Sequence, residues 1–163
     1  MNIYFFIAPS RTHTNLPRMK VQQILDRKLR NEILAVSPDD SVYFALEELA
    51  RHNIGALLVM EGPKLVGIFS ERDYARKGIL KGKPSRESFV KDLMTSPVIT
   101  VAPHAKIEEC LTIMTEKHFR HLPVVVDDQV LGMISSSDIF LAILTQYQNL
   151  VSSLEGYISG RPM

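Results

Sequence analysis

Two stretches of this chain carry side chains that could meet a ligand. Ser70 and Asp73 close the run Leu65-Val66-Gly67-Ile68-Phe69-Ser70-Glu71-Arg72-Asp73, and Ser135 and Asp138 close Val130-Leu131-Gly132-Met133-Ile134-Ser135-Ser136-Ser137-Asp138. In each, an apolar run containing a glycine leads into Ser-x-x-Asp at the start of a helical pattern. Two chemistries fit that order. A serine N-cap followed three residues later by an acid is a capping box, which satisfies N–H groups of the first turn. In the other reading the glycine admits a close approach at the strand end. The serine and the helix N-terminus then face a phosphate or sugar, and the carboxylate accepts from ribose hydroxyls, as acidic residues do in dinucleotide sites. One aspartate can do both, so both readings stand.

A second candidate lies at the entries of the preceding strands. Ile54-Gly55-Ala56-Leu57 in the first half corresponds to Phe119-Arg120-His121-Leu122 in the second. Arg120 offers a bidentate fork to phosphate and His121 a further donor, whereas Gly55 and Ala56 offer neither. The two halves are therefore expected to differ in anion binding. Other residues point away from chemistry. Cys110 sits on an apolar helix face with no base beside it in sequence, which reads as core. His104, His118 and His121 lack ligand spacing to any cysteine or carboxylate pair, so no zinc site is expected. Gly78-Ile79-Leu80-Lys81-Gly82-Lys83-Pro84-Ser85 mimics a phosphate loop, but the spacing is one short and Pro84 takes the hydroxyl position. No acid–base pair or nucleophile triad assembles, and the chain reads as a non-enzyme.

The elements that position these residues are duplicated. An offset of 65 residues places Val36–Tyr74 on Val101–Ile139 without a gap. Val36/Val101, Pro38/Pro103, Leu46/Leu111, Leu57/Leu122, Val59/Val124, Gly67/Gly132, Ser70/Ser135 and Asp73/Asp138 are identical, as in an internal repeat. Each copy reads as strand–helix–strand–strand–helix. A short helix over 20–29 (Val21, Ile24, Leu25, Leu29) precedes a strand at 33–36. A helix then starts at the N-cap Ser41, with Val42, Ala45, Leu46 and Leu49 on one face. Strands 56–60 and 65–69 follow around the turn Glu61-Gly62-Pro63-Lys64, then a helix with Tyr74, Ala75 and Ile79. The second copy repeats this with a helical turn at Val90, Leu93 and Met94, a strand at 98–101, a helix over 106–118, and strands 122–126 and 130–134. A last helix carries Ile139, Leu141, Ile143 and Leu144, and a tail over 146–158 has Leu150, Leu154 and Tyr157 at helical spacing.

The expected organisation is an N-terminal extension at 1–18 outside the fold, repeat 1 at 19–80, a polar linker at 81–89, repeat 2 at 90–145 and a C-terminal helical tail at 146–163. Each repeat is at the margin of independent stability. The fold class is α+β, with the two repeats packed about a pseudo-two-fold axis. Of 163 residues, 45% are hydrophobic and 23% charged, and the formal net charge is +1. That balance gives no broad electrostatic footprint for nucleic acid or an anionic membrane. A single cysteine excludes an internal disulfide and fits a reducing compartment. No apolar run approaches the ~18 residues of a membrane span, and a cytoplasmic protein is expected.

This pattern resembles a tandem pair of cystathionine-β-synthase-type (CBS) domains, a Bateman module, over about residues 20–145. The duplication, Gly-x-x-Ser-x-x-Asp in both copies and Arg120-His121-Leu122-Pro123-Val124-Val125 carry the resemblance. Ile54-Gly55-Ala56-Leu57-Leu58-Val59 and Phe69-Ser70-Glu71-Arg72-Asp73-Tyr74-Ala75-Arg76-Lys77 place it beside small stand-alone bacterial modules. The resemblance implies a cleft between repeats that binds AMP first, with ADP, ATP, NAD(H) or S-adenosylmethionine as alternatives. It implies one site from Ser70, Asp73, Val98, Ile99, Arg120 and His121. A second would use Ile33, Leu34, Gly55, Ala56, Ser135 and Asp138, with Arg72 as its phosphate partner. It further implies a homodimer formed through helices and a regulated partner acting in trans. The competing reading is a ligand-free module that docks on a partner, with Ser-x-x-Asp as capping alone.

Overall fold

A computed structural model describes residues 19–28 and 32–158. The expected extension at 1–18 and Leu29 lie outside that range. The elements are α1 (Val21–Arg27), β1 (Ala35–Val36), α2 (Val42–His52), β2 (Ala56–Glu61), β3 (Lys64–Ser70), α3 (Glu71–Asp73), α4 (Val90–Leu93), α5 (Ile107–Lys117), β4 (His121–Val126), β5 (Gln129–Ser135) and α6 (Ser136–Ile158). After α3 the helix continues as a π turn at Tyr74–Gly78 and a 3-10 turn at Ile79–Lys81. They group into two compact units of non-consecutive chain. One takes Arg30–Thr100 and Pro123–Gly132, and the other the described parts of Met1–Leu29, Val101–Leu122 and Met133–Met163.

In the first unit β1 runs parallel to β2, pairing Ala35 with Leu58 and Val36 with Val59. β2 runs antiparallel to β3, pairing Ala56 with Ser70 and Leu57 with Phe69. The connection at Gly62-Pro63 is tight: Gly62 has φ 58°, and proline fixes the next φ near −65°, the sequence of signs a type II′ hairpin needs. Ser41 Oγ accepts from Phe44 N at 3.1 Å, and Asn53, in the left-handed region at φ 52°, closes α2. This helix buries Val42, Ala45 and Leu49 with Val36, Leu57, Val59, Phe69, Val90 and Leu93. Four successive residues of β2, Ala56–Val59, are buried, so both faces of the strand are covered.

The compact units depart from the order of the repeats at Pro123–Gly132 and at the short helices. α4 opens the second repeat in sequence, yet it packs on α2 and β3 of the first unit. There Val90 N donates to Asp40 O and Lys91 N to Pro38 O, each at 2.9 Å. α1, which opens the first repeat, belongs to the other unit. Val21 N donates to Ala105 O and Gln22 N to Pro103 O, at 3.0 and 2.8 Å, and α1 packs on α6. Each repeat is thus completed by the helix that leads into the other.

The β4–β5 hairpin turns at Asp127 and Asp128, with φ of 47° and 62°; two positive values in succession are those of a type I′ turn. α5 buries Ile107, Cys110 and Met114, and α6 buries Ile139 and Ala142. Two expectations are corrected. Residues 98–100 form no strand, because an apolar run between prolines has strand composition but becomes a strand only where a neighbour pairs with it. The last helix and the tail are one helix of 23 residues, since no residue before Gly156 interrupts it. On it, Leu141 and Leu144 are exposed.

Candidate functional site

The first aspartate is built by the end of β3. Ser70 Oγ accepts from Asp73 N at 3.2 Å, while Asp73 Oδ2 accepts from Ser70 N at 3.1 Å and Ser70 Oγ at 2.6 Å. Thus the capping box is present in full. The other carboxylate oxygen is also engaged: Oδ1 accepts from Thr95 Oγ1 at 2.8 Å and pairs with Lys77 Nζ at 2.8 Å. Lys77 further donates to Leu93 O and Met94 O, each at 3.0 Å. The Asp73 side chain is only 12% exposed, so all of this stands on a carboxylate largely shielded from water.

The second aspartate repeats the box and changes its surroundings. Asp138 Oδ2 accepts from Ser135 N at 2.6 Å and Ser135 Oγ at 2.7 Å, and Asp138 N donates to Ser135 Oγ at 3.1 Å. Its cation is Lys28, whose Nζ lies 2.9 Å from Oδ2 and 2.7 Å from Met133 O. Arg120 and His121 stand in the same unit. Ser136 N donates to Arg120 O at 2.9 Å, and the duplicated bond runs from Glu71 N to Gly55 O at 3.3 Å. The strand entry of each repeat is therefore fastened beside its own Ser-x-x-Asp. Burial lowers the His121 pKa, Asp138 opposes that shift, and Lys28 and Arg120 reinforce it. At neutral pH the imidazole is uncharged, one nitrogen a donor and the other an acceptor.

Ser70, Asp73, Val98, Ile99, Ile33, Leu34, Gly55, Ala56 and Arg72 fall in one unit, and Arg120, His121, Ser135 and Asp138 in the other. Within the first, Ala56 pairs with Ser70 in the sheet. Leu34 O accepts from Leu58 N at 3.2 Å, and Ile33 and Arg72 are exposed. Val98 and Ile99 are half-buried on irregular backbone. Gly67 has a packing reason: a Cβ there would collide with the Met94 side chain, so the room beside it is taken by protein. Cys110 is buried, and burial together with Glu109 pushes its thiol up to about 12. It is a core thiol rather than a nucleophile. Among the described residues no cluster of histidine, cysteine or carboxylate could hold a metal ion, and no helix is long and apolar enough to cross a membrane.

Three residues that complete these sites escaped the sequence reading. Lys77 stands four residues after Asp73, an ion-pair spacing that could have been read. Thr95 and Lys28 gave no local signal, since tertiary packing alone brings them to the carboxylates.

The CBS domain model matches residues 21–78 and 90–145. The chain belongs to the CBS-domain family. A CBS domain-containing protein of Arabidopsis thaliana, CBSX3, described as mitochondrial, is 39% identical over 127 residues. That match covers 75% of this chain and 62% of the relative, so the chain spans less than two thirds of that protein's length. A putative signal-transduction protein with CBS domains from Burkholderia ambifaria superposes with a TM-score of 0.76 at 39% identity, over 78% of this chain and 95% of that one. The CBS domain pair of protein MJ0100, solved with 5-methylthioadenosine and S-adenosyl-L-methionine, superposes with a TM-score of 0.68 at 26% identity, over 80% and 99%.

Proposed function

We propose that this CBS pair is a regulatory, non-enzymatic module that binds an adenosine-containing ligand at its Ser-x-x-Asp motifs and signals energy or redox state to a partner in trans. The observation that carries the reading is the repetition of one geometry, a serine–aspartate cap at a strand end, in both units. A related CBS pair holding two adenosine compounds supports it. In this reading the aspartates accept from ribose hydroxyls, Arg120 and His121 serve the anionic end, and AMP is the first ligand to try. Ile33, Leu34, Val98 and Ile99 remain the candidates for the adenine, and Arg72 for a second phosphate contact.

Thermal unfolding with AMP, ADP, ATP, NAD, NADH and S-adenosylmethionine, each at about 1 mM, tests it. A ligand with a dissociation constant near 10 μM adds about 2.7 kcal/mol to the folded state, a shift of several degrees. A shift that disappears in Asp138→Ala or Asp73→Ala identifies the signal; no shift with any of the six refutes the reading.

One observation favours a second reading at Asp73. Both of its oxygens are already bonded, to Ser70, Thr95 and Lys77. A carboxylate so occupied does structural work without a ligand, as a docking module requires. Both readings include a second copy of the chain. Phe140, Leu144, Tyr147, Val151 and Leu154 are exposed on α6 at alternating spacings of four and three residues, the spacing of a coiled-coil seam. No charged residue lies between 139 and 154, so two copies meet there without like-charge repulsion.

A further inference from the structure

The lysine on Asp138 has no counterpart in the duplication. At the 65-residue offset, position 28 corresponds to Leu93, whose backbone carbonyl receives Lys77 in the other unit. Each aspartate thus carries one lysine, but from opposite directions. Lys77 belongs to the helix that Asp73 begins, whereas Lys28 is the C-cap of α1, far from Asp138 in sequence. The Lys28 ammonium rests on one charged oxygen and one neutral carbonyl. The two side chains are 27% and 21% exposed, on a flexible four-carbon stem that can re-aim. Asp138 Oδ2 meanwhile takes three donors at once. The side chain of Arg120 is exposed nearby, and both cations act on His121. Two cations against one carboxylate leave this corner with an excess of positive charge. Such a corner fits a ligand with hydroxyls at one end and negative charge at the other.

We propose that Lys28 is a displaceable counter-ion of Asp138 that becomes the phosphate-reading cation when the ribose of a nucleotide takes that carboxylate. The proposal rests on the adenosine-ligand reading and adds to it a residue and a selectivity. A nucleoside that engages Asp138 must separate the ion pair and gives the lysine nothing in return. A nucleotide makes the same exchange and supplies phosphate oxygens to the released ammonium, a charge-assisted hydrogen bond. Lys28 therefore selects phosphorylated ligands over nucleosides.

The test is calorimetric titration of the full chain with AMP and with adenosine, following the component of binding that Asp138→Ala removes. Wild type is compared with Lys28→Met, Lys28→Gln and Lys28→Arg, each checked for native circular dichroism. The glutamine variant keeps a donor for Met133 O, so it serves if the methionine variant unfolds. The expected result is an AMP affinity about tenfold or more weaker in the neutral variants, with adenosine unchanged or tighter, and the AMP preference retained in Lys28→Arg. An AMP-to-adenosine ratio that is the same with and without the Lys28 charge overturns the role of the lysine and leaves the adenosine reading standing. A wild type that binds neither compound, nor any other adenosine ligand, overturns both.

Discussion

Lys77 reaches back one helical turn to Asp73, with Nζ 2.8 Å from Oδ1, and the same ammonium caps the carbonyls of Leu93 and Met94. Asp73 thereby ties three things together: the end of β3 through Ser70, the π turn through Lys77 and the residues after α4 through Thr95. The carboxylate is a structural joint whether or not it meets a ligand.

Replacing it by alanine removes an N-cap partner and leaves the Lys77 ammonium without its carboxylate. Asp73→Ala is expected to lower stability by about 2 kcal/mol, read as an earlier urea midpoint at constant m-value. Thr95→Val, which removes a hydroxyl that donates to Asp73 Oδ1 and accepts from Lys77 Nζ, should cost about half as much because the carboxylate and the ammonium keep each other. Equal stability of Asp73→Ala and wild type would contradict the joint.

His121 makes stability depend on pH. Its pKa is lowered in the folded protein by burial, and the ordinary value is 6.5. Above that value the imidazole is neutral in both states and its contribution to stability is fully present. As pH falls through 6.5 the unfolded chain binds the proton first, so stability declines until the folded pKa is reached. Unfolding midpoints measured from pH 8 to pH 5 should fall more steeply for wild type than for His121→Gln. Parallel curves would rule out the effect.

Cys110 is expected to resist alkylation. With its thiol pushed up to about 12 and its side chain buried, the thiolate is scarce and shielded at pH 8. Iodoacetamide should modify it only in denaturant. Rapid labelling of the native chain would show that α5 opens at that position.

The apolar stripe on α6 is expected to pair two copies. Leu144→Glu with Val151→Glu places four like charges in the seam of such a dimer. Light scattering after size exclusion should then report half the wild-type mass with an unchanged circular-dichroism spectrum. A wild type that is monomeric at tens of micromolar contradicts the pairing.

Much of the architecture was legible from particular residues. Ser41 marks the start of α2 and Gly62-Pro63 the first hairpin turn, because these residues serve local backbone geometry that acts over three or four positions. The aspartates stood out because the same seven-residue phrase occurs twice. The strand expected at 98–101 failed for the opposite reason. Strand character there depends on a partner elsewhere in the chain, and Val98 and Ile99 carry no mark of whether one is present. The helical spacing of the last helix and of the tail was legible, but their continuity as α6 was not, because the uncharged stretch between them carries no stop signal and no start signal.

By itself, the sequence determined the duplication, the two capped aspartates and the order of elements, since each is written in local spacing and repeated. Tertiary structure decided which helix completes which repeat and which cation serves which carboxylate. Val21, Ile24 and Leu25 on α1 and Val90 and Leu93 on α4 are interchangeable as apolar patterns, so nothing in either helix names the surface that buries it. Docking α1 beside Pro103 and Ala105 carries Lys28 to Asp138. That pairing follows from the path of the backbone, because a salt bridge between residues so far apart forms only where packing has already brought them together.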